Sequence, residues 1–310
     1  MAGKTELWES PHAYLATMQP ENPVLFMSPK VATDGAKAFM NAFNGLTTYA
    51  VKACPEPRLL HELWNAGLRG FDVASPSEID LIRSHFPTAI LHYDNPIKSD
   101  AEITYAASQG VAGYSVDCIE ELAALTNLVD PSGVTLFIRF KIDTPGAAMS
   151  LGSKFGADVE TAKHLLLKAN DSGFIPALTF HPGVDCQQPT PFVAHIKAAA
   201  EIAKSTGVQI YALNIGGGFP ANITERLTSY FTPIHNALAA FGDVEPLLIS
   251  EPGRALAARS MRAALQVKRL RNADNSAFLN DDVYGLLAEF IQIDRAPEIE
   301  VVSATGELRT

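Results

Sequence analysis

The chain is poor in cysteine and in positive charge, and it contains no long apolar run. Its three cysteines, Cys54, Cys118 and Cys186, are odd in number and widely spaced along 310 residues. No Cys-x-x-Cys pair or histidine–cysteine cluster accompanies them, which argues against a structural metal and against a disulfide framework. No stretch approaches the roughly 18 consecutive apolar residues that a membrane-crossing helix needs. Residues 1–12 are polar and lack the apolar core of a signal peptide. A reduced, cytoplasmic protein is the expectation. Lysine plus arginine number 24 against 34 acidic residues, a formal charge of −10. The densest basic stretch, Lys268-Arg269-Leu270-Arg271, is short, so the surface would repel phosphate backbones and anionic lipids. A small molecule is therefore expected as partner, with no nucleic acid and no membrane.

Low-complexity tracts, sequence repeats and flexible linkers are also missing. What recurs is a short apolar strand, a polar turn and an amphipathic helix. Strands are expected over residues 48–53, 71–74, 90–93, 113–117, 135–141, 177–181, 211–215 and 247–251. Ser75-Pro76-Ser77-Glu78 reads as a capping box with proline at the first helical position, opening a helix to about Phe86. Ser99-Asp100-Ala101-Glu102 repeats the spacing, with a stop near Gly110. Asp117 is placed to cap residues 120–129. Thr190 is placed to open the run 192–205, with Gly207 just beyond its end. Alternation of this kind implies a parallel sheet covered by crossover helices. Eight units fit an α/β, (β/α)8 TIM-type barrel, with an open doubly wound sheet as the alternative. The ends differ: residues 23–30 read as a separate strand. From Met261 onward the pattern turns β-like, over 264–269, 282–293 and 298–303. The expected division is an N-terminal segment (1–27) joining a β domain, a barrel (28–260) and a partial C-terminal β domain (261–310).

Polar residues gather where the proposed strands end, the place at which barrel enzymes build their sites. In chain order they are Lys52, Asp72, Asn95, Asp117, Arg139, His181, Gly216-Gly217-Gly218, and Glu251 with Arg254. Each has a bland reading. Lys52 ends an apolar strand and could simply snorkel; its functional reading is a partly desolvated amine of lowered pKa that condenses with an aldehyde. Three successive glycines are often only a turn, but they also let a backbone approach a ligand and free N–H groups for an anion. Glu251-Pro252-Gly253-Arg254 reads blandly as a surface ion pair contributing about 0–1 kcal/mol. Alternatively, Arg254 meets a phosphate and Glu251 a ring nitrogen that must stay protonated. His181 alone reads as a hydrogen-bonded structural residue, and Asp72 and Arg139 as barrel-lining groups paired with each other.

Taken in order, these motifs resemble the fold type III (alanine-racemase-fold) decarboxylases that use pyridoxal 5′-phosphate (PLP). Ornithine decarboxylases are nearest in pattern, with diaminopimelate and arginine decarboxylases as cousins. The likeness runs from about Pro23 to Asp294. It is carried by Tyr49-Ala50-Val51-Lys52, Gly70 through Ile79, Asn95-Pro96-Ile97-Lys98, Ser153-Lys154-Phe155-Gly156, His181-x-Gly183, Ile215 through Pro220, Glu251 through Arg254, and Asp282-Val283-Tyr284-Gly285. The resemblance implies that Lys52 forms the internal aldimine, His181 stacks on the pyridine ring and Glu251 holds its nitrogen. It assigns Gly216, Gly217, Gly218 and Arg254 to the phosphate, and places Asp72 and Arg139 near the lysine and ring. Asp294 is the candidate for a substrate's distal ammonium. The implied reaction is decarboxylation of a basic amino acid, L-ornithine to putrescine, as in polyamine biosynthesis, by a head-to-tail homodimer. Racemases of this fold place arginine at the ring nitrogen, so Glu251 argues for decarboxylation.

Two departures stand out. The family reads His-x-Gly-Ser, and Val184 replaces the serine, forfeiting a hydrogen bond to the phosphate that contributes about 1.5–3 kcal/mol. The family's cysteine–aspartate segment and phosphate-contacting tyrosine follow the point at which this sequence stops. The expectation is either a fragment or a short form with impaired decarboxylation. The alternative function is accordingly a catalytically impaired homologue that binds PLP or a regulatory protein.

Overall fold

The structure, a computed structural model, describes residues 6–146, 154–292, 296–303 and 308–309. The chain divides into two compact units: Pro29–Ser260, and Met1–Ser28 together with Met261–Thr310.

In the larger unit, eight parallel strands close into a barrel in sequence order. They are Leu46–Ala50, Gly70–Val73, Ile90–Tyr93, Gly113–Val116, Thr135–Arg139, Ile175–Thr179, Ala212–Asn214 and Leu247–Ser250. Closure of the sheet on itself decides for the TIM-type barrel over the open sheet. The first and eighth strands meet with Leu46 opposite Ile249 and Thr47 opposite Ser250. The Thr48 hydroxyl reinforces this seam by donating to the Ser250 carbonyl at 3.1 Å.

The helix starts follow local chemistry. Ser75 Oγ accepts from the Glu78 N–H at 3.3 Å, and Glu78 reaches back to the Ala74 N–H at 2.7 Å, opening Pro76–His85. Ser99 and Glu102 form the reciprocal capping box of Asp100–Ser108. Helix Thr190–Thr206 stops at Gly207, whose φ of +70° suits a residue without Cβ. Asp117 departs from expectation. Helix Ile119–Leu128 starts after Cys118 with no side-chain cap, and Asp117 instead accepts from the Gly156 N–H at 2.8 Å. That bond ties the segment after the fifth barrel strand to the end of the fourth.

The barrel floor is filled by Phe137, Ala177, Ala212 and Ile249, with Leu46 against them. Side chains alternate along a strand, so the residue two positions on lies on the same side. Arg139 follows Phe137 in this way, Asn214 follows Ala212, and Glu251 follows Ile249. The apolar floor therefore carries a polar layer above it. Gly113 makes room for the floor: a Cβ there would lie 2.7 Å from Phe137 Cε2 and 3.1 Å from His92 Cδ2.

In the smaller unit, Val24–Met27 pairs antiparallel with Met261–Ala264, Val267–Arg271 with Ser276–Leu279, and Val301–Val302 with Leu308–Arg309. The β-like reading of 282–293 is corrected. Asp282 Oδ1 accepts from the Tyr284 N–H at 2.8 Å and Asp281 Oδ2 from the Leu286 N–H at 3.0 Å, making turns that lead into the short helix Ala288–Gln292. Aspartates that capture nearby backbone donors in this way compete with a sheet ladder. Among the described residues no helix is long and apolar enough to cross a membrane.

The tight floor makes a stability prediction. Gly113→Ala should destabilise the protein by about 1–3 kcal/mol through overpacking. Phe137→Leu in the same background should recover part of that loss. Urea midpoints of the two single variants, the double variant and the parent protein read the coupling directly.

Candidate active site

Lys52 leaves the first barrel strand on a single helical turn, Val51–Ala53. The turn is pinned from three sides. The Tyr49 hydroxyl donates to the Cys54 carbonyl at 3.2 Å, and the Ala50 N–H donates to the Pro252 carbonyl at 3.3 Å. Gly253 packs so closely that a Cβ on it would sit 2.7 Å from Ala53 Cβ. Lys52 Nζ, on a side chain 61% exposed, donates to Asp72 Oδ2 at 3.0 Å, whereas Asp72 is only 1% exposed. The lowered amine pKa expected from desolvation is overturned. The Asp72 carboxylate outweighs burial, Glu251 adds to it, and the ammonium is held above its ordinary range. Asp72 is thus the partner of Lys52 and not of Arg139.

Glu251 follows the eighth strand and is 7% exposed, so it is no member of a surface ion pair. Its carboxyl accepts from Asn214 Nδ2, and the Asp94 carboxyl lies beside it. Asn214 Nδ2 also reaches Asp94 Oδ2 at 3.4 Å, while Asn214 Oδ1 accepts from the Gly216 N–H at 2.9 Å. Asp72, Asp94 and Glu251 each bring one oxygen to within 4.8 Å of the others. Burial and the neighbouring negative charges push both Asp94 and Glu251 above the usual carboxylate range. Asp72 Oδ1 and Asp94 Oδ1 are buried without a hydrogen-bond partner. Arg139 faces the same cluster, feeling Glu251, Asp117, Asp94 and Asp72; burial lowers its guanidinium from the ordinary value.

His181 lies beyond the sixth barrel strand, where the Gly183 N–H donates to its Nδ1 at 3.2 Å. Burial and the charges of Arg139 and Lys52 push the imidazole down to about 3, so it is neutral at physiological pH. Its ring edge rests on the triglycine segment: Cβ atoms at 216, 217 and 218 would lie 3.3, 3.3 and 3.5 Å from it. They would also lie 2.5, 2.7 and 2.2 Å from the carbonyl oxygens of Phe180, Glu251 and Gly183. Glycine is required here by close backbone packing. Gly216 spends its N–H on Asn214, so the N–H groups left for an anion are those of Gly217 and Gly218, which meet no acceptor among the described residues. Phe219 anchors the segment by packing 4.9 Å from Phe192 and 5.3 Å from Phe39. Arg254 opens the turn Arg254–Ala257, one residue after the glycine that abuts Ala53. Val184 follows Gly183 and supplies no hydroxyl there.

The barrel mouth therefore joins Lys52, Asp72, Arg139, His181 and Glu251 in one mutually interacting group. Asn95 stands apart, accepting from the Ile97 N–H at 3.3 Å. Asp294 lies outside the described residues. Sequence reasoning passed over Asp94 and Asn214. A signal existed: each stands two positions beyond an inward-facing residue, His92 and Ala212.

Residues 33–258 match the family described as pyridoxal-dependent decarboxylase, pyridoxal binding domain. The chain is 31% identical over 274 residues to a decarboxylase of Aspergillus flavus, covering 84% of this chain and 63% of that protein. It is 32% identical over 266 residues to an ornithine decarboxylase of Panagrellus redivivus, covering 76% of this chain and 60% of the relative. Among solved structures, arginine decarboxylase of Paramecium bursaria Chlorella virus, bound to agmatine, superposes with a TM-score of 0.83. It is 27% identical, with 92% of this chain and 79% of that chain covered. Lysine/ornithine decarboxylase of Vibrio vulnificus, complexed with putrescine, gives a TM-score of 0.79 at 25% identity, covering 94% and 79%. The chain spans about three-fifths of the length of the curated relatives it matches. It belongs to the pyridoxal-dependent decarboxylases, by their pyridoxal-binding domain, and its cofactor is pyridoxal 5′-phosphate.

Proposed function

We propose that the chain decarboxylates a basic amino acid, with L-ornithine ahead of lysine, arginine and diaminopimelate, as a homodimer. The observation that carries this reading is the buried acid Glu251, with an oxygen within 4.8 Å of one from Asp72, the carboxylate that holds Lys52. The residues present fit the cofactor's chemistry. There is an amine for its aldehyde at Lys52 and an acid for its ring nitrogen at Glu251. The unmet N–H groups of Gly217 and Gly218, with the cation of Arg254, suit a phosphate.

When bound, pyridoxal phosphate supplies a protonated pyridine ring that accepts the electron pair left at Cα as CO₂ departs. The protein's own residues do the rest. Lys52 would hold the group through Nζ, and Asp72 favours positive charge at that nitrogen. His181, neutral and rigid on the glycine segment, offers a flat face that adds no positive charge beside the ring. Glu251 would meet the ring nitrogen and favour a proton on it. Arg139 balances the negative charges crowded beneath. The names of the relatives, ornithine decarboxylase above all, support the choice of substrate.

Incubation with pyridoxal phosphate followed by borohydride should attach the pyridoxyl group to the Lys52 peptide, as read by mass spectrometry. Lys52→Ala should remove that label. Asp72→Asn should speed labelling at pH 7.5 by about tenfold or more. Each unit by which the amine pKa falls toward its ordinary value frees about ten times more unprotonated amine.

Release of ¹⁴CO₂ from carboxyl-labelled ornithine, lysine, arginine and diaminopimelate tests the reaction, with ornithine expected to be fastest. Glu251→Gln should lower kcat by about 10²–10³, the usual cost of losing one electrostatic partner of the reacting centre. Cofactor uptake with no CO₂ release from any of the four would overturn the enzymatic reading in favour of a binding protein. Sedimentation velocity should return the mass of two chains; a single-chain mass at micromolar concentration would refute the dimer.

A further inference from the structure

Asp94 is the one acid of the site whose role neither the motifs nor its position on a strand end explains. Its carboxyl, 7% exposed, brings an oxygen to within 4.8 Å of one from Glu251, and both acids accept from Asn214 Nδ2. Ionised carboxylates only accept, so two of them can bond each other only if one keeps its proton. Charge counting agrees. The groups facing Asp94 are Glu251, Asp72, Lys52, Arg139 and, further off, Lys98, which is engaged by Glu121 at 3.4 Å. Lys52 and Arg139 supply two positive charges against three acids, so one retained proton leaves this buried group neutral. Between the two partners, Glu251 is the better anion. Asn214 donates its closer bond to Glu251, and Lys52, which favours the ionised form of both acids, weighs more among the influences on Glu251 than among those on Asp94. Asp94 is penalised by its burial and by both acidic neighbours.

We propose that Asp94 is a positioning residue that stays a neutral acid and donates its proton in a hydrogen bond to Glu251. This rests on the reading that Glu251 meets the ring nitrogen of bound pyridoxal phosphate. The physical consequence is a weakening of Glu251 as a base. A buried carboxylate without donors has a high proton affinity and would draw the proton off the pyridine ring, spoiling it as an electron acceptor. Two donors, Asp94 and Asn214, stabilise the Glu251 anion and leave the proton on the ring. Asp94 thus acts on the ring through Glu251.

The test uses the holoprotein loaded with pyridoxal phosphate carrying ¹⁵N in the ring, whose nitrogen chemical shift distinguishes protonated from unprotonated ring. The wild type should show the protonated signature at pH 7.5. Asp94→Asn, which still donates an N–H but has no proton to lose, should keep it. Asp94→Leu, similar in size and unable to donate, should move it toward the unprotonated value. An unchanged shift in Asp94→Leu, or a shift in Asp94→Asn, would overturn the proposal.

The apoprotein supplies a second readout that does not depend on the cofactor. A carboxyl held above its unfolded value keeps a proton that the unfolded chain has released by about pH 5. Wild-type stability should therefore fall as pH rises, with the folding equilibrium constant dropping up to about tenfold per pH unit until the folded group titrates. Asp94→Asn should lack that component of the slope, and identical slopes in the two proteins would overturn the retained proton. If the wild type takes up no pyridoxal phosphate, the assignment of the site fails and Asp94's role toward the ring fails with it. The apoprotein slopes still decide separately whether the acid pair holds a proton.

Discussion

The seam between the first and last barrel strands is the constraint on which the rest of the site depends. Lys52 and Glu251 are separated by nearly the whole barrel in sequence and become neighbours only because the sheet closes. Closure is enforced locally by the Ala50 N–H on the Pro252 carbonyl and by Gly253 against Ala53. A side chain at position 253 would push the lysine turn away from the acid turn. The glycine and proline of Glu251-Pro252-Gly253-Arg254 thus act on Lys52 as much as on their own residues.

A closed barrel with an apolar floor imposes a second condition. The acids of its upper layer, Asp72, Asp94 and Glu251, are buried, so their charges must be matched or removed. Asp72 is matched by Lys52 at 3.0 Å. Arg139 is matched by several carboxylates, and the surplus acid retains a proton. The same economy sets the state of His181, which cannot become a cation between Arg139 and Lys52. The protonation states at the mouth are therefore properties of the group as a whole. That is why reading Lys52 alone, as a desolvated amine, led to the wrong direction for its pKa.

The triglycine segment illustrates how one motif serves two ends. Its glycines were read as a place where a ligand meets the backbone. In the fold they first allow the backbone to pass under His181 and beside Phe180 and Gly183, while Phe219 locks the segment into the cluster with Phe39 and Phe192. Only two N–H groups are left over from that packing, and these are the ones that suit a phosphate. Anion binding proposed here would be a by-product of a rigid scaffold, consistent with the general use of unmet backbone donors.

Much of this was legible in the chain. Alternating apolar segments and capping boxes at Ser75 and Ser99 identify the barrel, because local hydrogen bonds and strand periodicity depend on near neighbours. The residues that end strands with reactive groups, Lys52, Asp72, Arg139, His181 and Glu251, were found by the same local logic. Helix Pro57–Asn65 and the proline-containing Leu227–Ala237 gave weaker signals: neither begins with a serine, threonine, aspartate or asparagine cap. Asp94 and Asn214 escaped because nothing adjacent to them in sequence marks them. Their chemistry is a pairing across the barrel with a residue more than thirty positions away in each case. Residue types and their order belong to the sequence. Which acid keeps a proton, which glycine spends its N–H and which carboxylate holds the lysine depend on distances of a few ångströms between strands, and those exist only once the sheet has closed.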